Sequence, residues 1–299
     1  MIEAVGATPW DTASTVAAMV EGDHPVVAGQ VGDLVCPGPD GADETVRQHN
    51  RIAVRRPEHL GGVPRRGAYS LNHLAADLDS VLDATLAPRE RAVVAGHSMG
   101  GITIAAWSDR YRHKVRRRTD AVALINTTTG DLVRKVKLLS VPRELSPVRV
   151  LAGRSLVNTF GGFPLPGAAR ALSRHVISTL AVAADADPSA TRLVYELFTQ
   201  TSAAGRGGCA KMLVEEVGSA HLNLDGLTVP TLVIGGVRDR LTPISQSRRI
   251  ARTAPNVVGL VELPGGHCSM LERHQEVNSH LRALAESVTR HVRDRRISS

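Results

Sequence analysis

Three side chains in this sequence are of the types that together make an alcohol reactive. They are Ser98 in Gly96-His97-Ser98-Met99-Gly100-Gly101, Asp239 in Val237-Arg238-Asp239-Arg240-Leu241-Thr242-Pro243, and His267 in Gly265-Gly266-His267-Cys268. A serine hydroxyl is a poor nucleophile at neutral pH. It needs a base to take its proton, a carboxylate to orient that base, and N–H donors where charge develops on the attacked carbonyl. The trio therefore predicts acyl transfer: Ser98 attacks a carbonyl carbon, His267 is general base and then general acid, and Asp239 fixes the imidazole tautomer.

For these residues to meet, secondary structure must carry each to the same edge. The run Ala92-Val93-Val94-Ala95 has a strand's composition, and Gly100 to Tyr111 has a helix's, so Ser98 falls on the turn between them. Such a turn crowds the backbone two residues either side of the serine, and Gly96 and Gly100 relieve it because they lack a Cβ. The helix that starts after Ser98 aims the Met99 N–H, a candidate oxyanion donor, at the reacting carbonyl. Strand patterns at Thr231 to Ile234 and Val258 to Glu262 end just before Asp239 and His267.

Other readings of these residues carry less. Asp131, after the strand pattern Ala121 to Ile125, is a second candidate acid, and the flanking pattern of Asp239 fits the expected loop better. The chain has twelve histidines, and His267 stands out by position alone; His97, beside the serine, points away from it by the alternation of the turn. Cys268 reads as a small buried residue, since a thiol nucleophile would need a base of its own.

With the order Ser98, Asp239, His267, the three quoted segments resemble the nucleophile elbow, acid loop and histidine loop of the α/β-hydrolase superfamily of serine esterases and lipases. The resemblance spans about residues 69 to 292 and implies a mostly parallel α/β sheet flanked by helices, with a helical cap inserted between its sixth and seventh strands. It further implies hydrolysis of a carboxylic ester through an acyl-enzyme, with no metal and no other cofactor. Aspartate-nucleophile relatives, the haloalkane dehalogenases and epoxide hydrolases, are disfavoured by the serine at position 98. The superfamily's early His-Gly pair, whose loop carries the second oxyanion N–H, has no counterpart, because no histidine here precedes a glycine. The loop Ala28-Gly29-Gln30-Val31-Gly32 is a candidate substitute. Losing one oxyanion donor costs on the order of a hundredfold in turnover. A second reading is accordingly carried, a catalytically weak or inactive binding protein on the same fold.

Along the chain, residues 1–68 form an atypical N-terminal part of the core, 69–137 the core with the serine turn, 138–226 the cap, and 227–299 the core with the acid and histidine loops. In the first part, Pro25 to Ala28, Leu34 to Cys36 and Arg51 to Val54 are candidate short strands. Ser70 is placed to cap a helix with Leu71, Leu74, Leu78, Val81, Leu82 and Leu86 on one stripe. Prolines 142, 147, 164 and 166 punctuate the start of the insertion, and helical patterns follow at Ala168 to Leu180 and Ser189 to Thr201. Its apolar residues Leu156, Val157, Phe160, Phe163, Leu165, Leu172, Val194, Leu197 and Phe198 either line a pocket for an apolar acyl or alkyl group or form the cap's own core.

Composition bounds the rest. The 299 residues suffice for one large core, and no run of about 18 apolar residues suggests a membrane span. The N-terminus lacks the order of an export signal, which predicts a cytoplasmic protein. Cys36, Cys209 and Cys268 form no C-x-x-C pair, so neither disulfides nor zinc are expected. The charge of +7 gathers in Arg110 to Arg118 and Arg290 to Arg296, but aromatics are 3% of the chain, which argues against a nucleic-acid surface. The expected partner is a small-molecule ester, and the sequence leaves the oligomeric state open.

Overall fold

The computed structural model describes residues 15–21, 24–29, 50–55, 69–132, 170–200 and 203–297. Seven strands form one sheet in the order β3-β1-β2-β4-β5-β6-β7. They are β1 (Thr15–Glu21), β2 (His24–Gly29), β3 (Asn50–Arg55), β4 (Ala92–His97), β5 (Thr119–Ile125), β6 (Thr231–Gly236) and β7 (Val257–Leu263). β1 runs antiparallel to β2 and β3, while β2, β4, β5, β6 and β7 are mutually parallel neighbours. The strand pattern at Pro25 to Ala28 lies within β2 and that at Arg51 to Val54 within β3. Leu34 to Cys36 falls outside the described residues.

Helices cover both faces. On one lie α1 (Leu71–Thr85), α2 (Met99–Arg110), α3 (Arg112–Arg118) and α7 (Ile244–Thr253), whose Leu78, Leu82, Ile104, Val115 and Ile250 pack on Val94, Leu124 and Val233 of the sheet. On the other lies α9 (His274–Ile297), whose Val277, Leu281, Leu284 and Val288 pack on Val93, Ala123, Ile125 and Ile234. Central strands buried on both faces are apolar at successive positions, which is why Val93 and Val94 serve opposite layers. α1 starts as its stripe predicts: Ser70 Oγ accepts from the His73 N–H at 3.2 Å, and Leu71, Leu74, Leu78, Leu82 and Leu86 are buried.

The basic run on α3 faces an acidic flank of α1. Lys114 bridges Asp79 and Asp83 at 2.7 and 2.8 Å, and Arg118 pairs with Asp83 at 2.6 Å. Much of that charge is therefore met within the protein. Between β5 and β6 stand α4 (Arg170–Ala181), α5 (Pro188–Gln200) and α6 (Ala203–Glu216). α6 was not anticipated, since Gly205, Gly207 and Gly208 oppose a helix. Packing overrides them: Met212 and Val217 bury with Leu71, Leu74, Met99 and Ile102, and a Cβ at residue 208 would come within 2.3 Å of the Tyr69 ring. Among the described residues, no helix is long and apolar enough to cross a membrane.

Candidate active site

The register of the parallel strands decides where their ends meet. β4 pairs with β5 through His97 opposite Ile125, and β5 with β6 through Ile125 opposite Ile234. The residues that follow these strands thus emerge at one edge, which is where ligands bind in open α/β sheets.

Ser98 occupies the turn from β4 to α2 with φ 51° and ψ −118°. That left-handed φ is costly for a residue with a Cβ and is held by its surroundings. The Ser98 N–H donates to the Ile125 carbonyl at 3.0 Å, and Thr127 Oγ1 donates to the Ser98 carbonyl at 2.6 Å. A Cβ on Gly96 would lie 2.6 Å from the Gly100 backbone and from Ile104, so glycine is required there by close approach. Gly101 packs as closely on the Thr127 side chain. Met99 opens α2, and its N–H belongs to the first turn, where no intrahelical acceptor exists.

His267 and Asp239 are both buried, at 5% and 2% exposure. His267 Nε2 lies 2.9 Å from Ser98 Oγ, and His267 Nδ1 lies 2.9 Å from Asp239 Oδ2. An ionised Asp239 only accepts, so Nδ1 carries the proton in neutral imidazole and Nε2 is left to accept from the serine. The three residues named from the sequence are brought together. His97 takes no part in that relay: its Nε2–H donates to the His267 carbonyl at 2.9 Å, a structural tie. Asp131 lies elsewhere, 3.8 Å from His221. Cys268 is buried, and its N–H donates to the Ala181 carbonyl at the end of α4.

Asp239 is dense with donors. Its Oδ1 accepts from the N–H groups of Leu241 and Thr242, both at 2.8 Å, and its Oδ2 accepts from Thr242 Oγ1 at 2.7 Å and Asn126 Nδ2 at 3.0 Å. Burial pushes this carboxyl up, but the field and hydrogen bond of His267, with the bonds from Asn126 and Thr242, outweigh it and leave it below its ordinary value. The flanking arginines turn away, Arg238 to Asp185 at 2.6 Å and Arg240 toward the Thr179 carbonyl.

Sequence reading missed three supports. Thr242 stands three residues after Asp239, the spacing at which an aspartate closes a turn on the following N–H groups, so its signal was local. Asn126 sits at the end of β5, 113 positions from its partner Asp239, and only its place after a buried strand marked it. Glu272, in the short helix α8 (Ser269–Glu272), accepts from the N–H groups of Gly266 and Ala183, both at 3.0 Å, and so ties the histidine loop to α4.

A cavity of about 530 Å³ opens on the far side of Asp239, between α4 and the acid loop. His175, Thr179, Val182, Val237 and Arg240 are among its walls, whereas Ser98 and His267 are not. Of the apolar residues assigned to the insertion, Leu197 is buried, Val194 packs against the core beneath α9, and the Phe198 ring lies 4.9 Å from the Arg206 guanidinium. These three serve packing. Leu156, Val157, Phe160, Phe163 and Leu165 lie outside the described residues, as does most of the loop Ala28 to Gly32 after β2. Among the described residues, no three His, Cys, Asp or Glu side chains are grouped to hold a metal ion.

Known proteins share this family and fold. A model described as the alpha/beta hydrolase family matches residues 14–280. A pimeloyl-[acyl-carrier protein] methyl ester esterase from Chromobacterium violaceum is 28% identical over 243 residues, covering 80% of this chain and 87% of the relative. An enol-lactonase from Burkholderia xenovorans superposes with a TM-score of 0.57 at 21% identity, over 80% of this chain and 81% of the other. A thermophilic esterase from Thermogutta terrifontis superposes with a TM-score of 0.56 at 20% identity, over 82% of each chain.

Proposed function

This chain belongs to the alpha/beta hydrolase family, and we propose that it hydrolyses carboxylic esters through an acyl-enzyme on Ser98. The observation that carries the reading is the unbroken relay from Ser98 Oγ through the His267 imidazole to Asp239, with 2.9 Å at each link. Ester hydrolysis is also the activity in the names of the pimeloyl-[acyl-carrier protein] methyl ester esterase and the thermophilic esterase.

In the proposed reaction Ser98 Oγ attacks the ester carbonyl carbon as His267 Nε2 takes its proton. The carbonyl oxygen becomes an oxyanion that the Met99 N–H, at the positive end of α2, stabilises. Asp239 holds the Nδ1 tautomer and offsets the charge of the imidazolium. The tetrahedral intermediate collapses, His267 gives the proton to the departing alkoxide, and the acyl group stays on Ser98. Water, deprotonated by the same imidazole, then attacks the acyl carbon, and Ser98 leaves with the proton. The chemistry needs no metal and no further cofactor.

Within this proposal the helices between β5 and β6 are a cap. What supports it is that α6 buries Met212 in one apolar cluster with Met99, the residue after the nucleophile, while the end of α4 receives the Cys268 N–H beside His267. A small-molecule ester with an apolar acyl or alkyl group is the proposed substrate. A fluorophosphonate probe tests the reading: the wild type is expected to label and Ser98→Ala to remain unlabelled. A folded wild type that neither labels nor turns over short-chain p-nitrophenyl esters would favour an inactive binding protein. A chain-length series of those esters with flat selectivity would remove the apolar-pocket part.

A further inference from the structure

Asn126 has no step in the reaction above, yet its side chain is spent entirely on the site. It is fully buried at the end of β5, where its N–H continues the ladder by donating to the Ile234 carbonyl at 2.8 Å. Its φ of 42° lies in the left-handed region, which asparagine visits more readily than most residues with a Cβ. One amide N–H of Nδ2 donates to Asp239 Oδ2 at 3.0 Å and the other to the Gly266 carbonyl at 3.1 Å. Its Oδ1 accepts from Ser269 Oγ, at the start of α8. One side chain thus joins the acid loop, the residue before His267, and the helix after it.

We infer that Asn126 is a positioning residue: by bonding Asp239 and the Gly266 carbonyl at once, it locks the acid loop to the histidine loop and keeps the carboxylate in register with His267 Nδ1. The inference rests on the proposed Ser98, His267 and Asp239 relay. Asparagine is the residue type these partners select. Asp239 and the Gly266 carbonyl both accept, so they require a donor, while the Ser269 hydroxyl offers a proton to an acceptor. The opposite amide orientation would set Oδ1 against two acceptors. An aspartate at 126 would face Asp239 as a second carboxylate, and two carboxyl groups about 3 Å apart cannot both ionise at ordinary pH. An alanine would leave the Gly266 carbonyl and one position on the buried Asp239 without their donor.

Among the described residues, few charged and titratable groups surround Asp239. His267 touches it from the histidine loop; Arg238 and Arg240 flank it on its own loop with exposed side chains, Arg238 paired to Asp185. His175 of α4, also exposed, lines the cavity on its far side. His97, whose ring centroid lies 4.8 Å from that of His267, is a further titratable neighbour, so a change of titration on altering residue 126 would report on Asp239 together with His267 and His97.

The experiment compares wild type, Asn126→Ala and Asn126→Asp by two readouts: the pH profile of kcat/KM on a short p-nitrophenyl ester, and the downfield NMR signal of the imidazole proton between His267 and Asp239. Asn126→Ala is expected to lower kcat about tenfold or more with KM within about twofold, and to weaken or shift the imidazole signal. Asn126→Asp, nearly the same shape, is expected to add an ionisation to the profile that neither the wild type nor Asn126→Ala carries. A merely structural role would scale the profile without changing its form. The inference is overturned if Asn126→Ala keeps kcat within about twofold and leaves the imidazole signal unmoved, or if the Asn126→Asp profile superposes on the wild type after scaling. Thermal melting checks that both fold, and if Asn126→Ala does not, Asn126→Asp decides alone. A wild type without esterase activity but with the imidazole signal displaced in the variants would sink the functional reading and leave this inference standing.

Discussion

The turn that carries Ser98 and the loop that carries Asp239 are built by different means. At Ser98 the backbone does the work: a left-handed φ of 51°, a glycine pair in van der Waals overlap range, and one threonine hydroxyl on the serine carbonyl. At Asp239 side chains and N–H groups do it, with Leu241, Thr242, Asn126 and His267 all donating to one carboxylate. The first region has little tolerance for volume and the second little tolerance for lost polarity. Steric constraint can be written in six consecutive residues, whereas a hydrogen-bond network gathers its members from across the chain.

Substitutions can break this contrast, beginning with the groups common to both regions. His267→Ala, which removes the proposed base between them, should lower kcat by on the order of 10⁴ while ester binding changes little, as steady-state kinetics would report. Full activity in that variant would end the role assigned to the imidazole. Asp239→Asn should cost about 10³ to 10⁴ in kcat, because Nδ1 loses the acceptor that fixes its tautomer.

Stability sharpens the comparison further. Gly96→Ala forces a Cβ to 2.6 Å from backbone that cannot swing aside, and about 1–3 kcal/mol of destabilisation is expected in a denaturant melt. Asp239 adds a pH signature. Its carboxyl is held below its ordinary value near 3.8, so the stability it contributes is fully present above that value and lost as pH falls through the lower folded value. Melting temperature followed from pH 6 downward should fall more steeply in the wild type than in Asp239→Asn; parallel curves would contradict the assignment. The smallest effect is expected on the rim of the sheet, where Arg248 pairs with Glu262 at 2.6 Å: Arg248→Ala should shift stability by less than about 1 kcal/mol and leave turnover unchanged.

The same contrast explains what the sequence made legible. The serine turn announced itself, because strand, glycine pair and helix are contiguous, and Asp239 and His267 followed from the ends of two short β-branched strands. Asn126 did not, since nothing within its own neighbourhood records that Asp239 and Gly266 will face it. α6 stayed hidden for a related reason: its glycines are unfavourable locally, and one of them, Gly208, is selected by the Tyr69 ring, more than a hundred residues away in the chain. β1 was also unmarked, its Thr15–Glu21 run being short of the alternation that identifies a strand.

The central claim is that Ser98 carries the acyl group during turnover. Stopping the reaction of a slow p-nitrophenyl ester in acid and mapping the added mass by peptide mass spectrometry tests it most directly. The account predicts one acyl adduct, on the peptide containing Ser98, missing in Ser98→Ala. Steady turnover with the adduct on another residue, or undiminished turnover in Ser98→Ala, would contradict it.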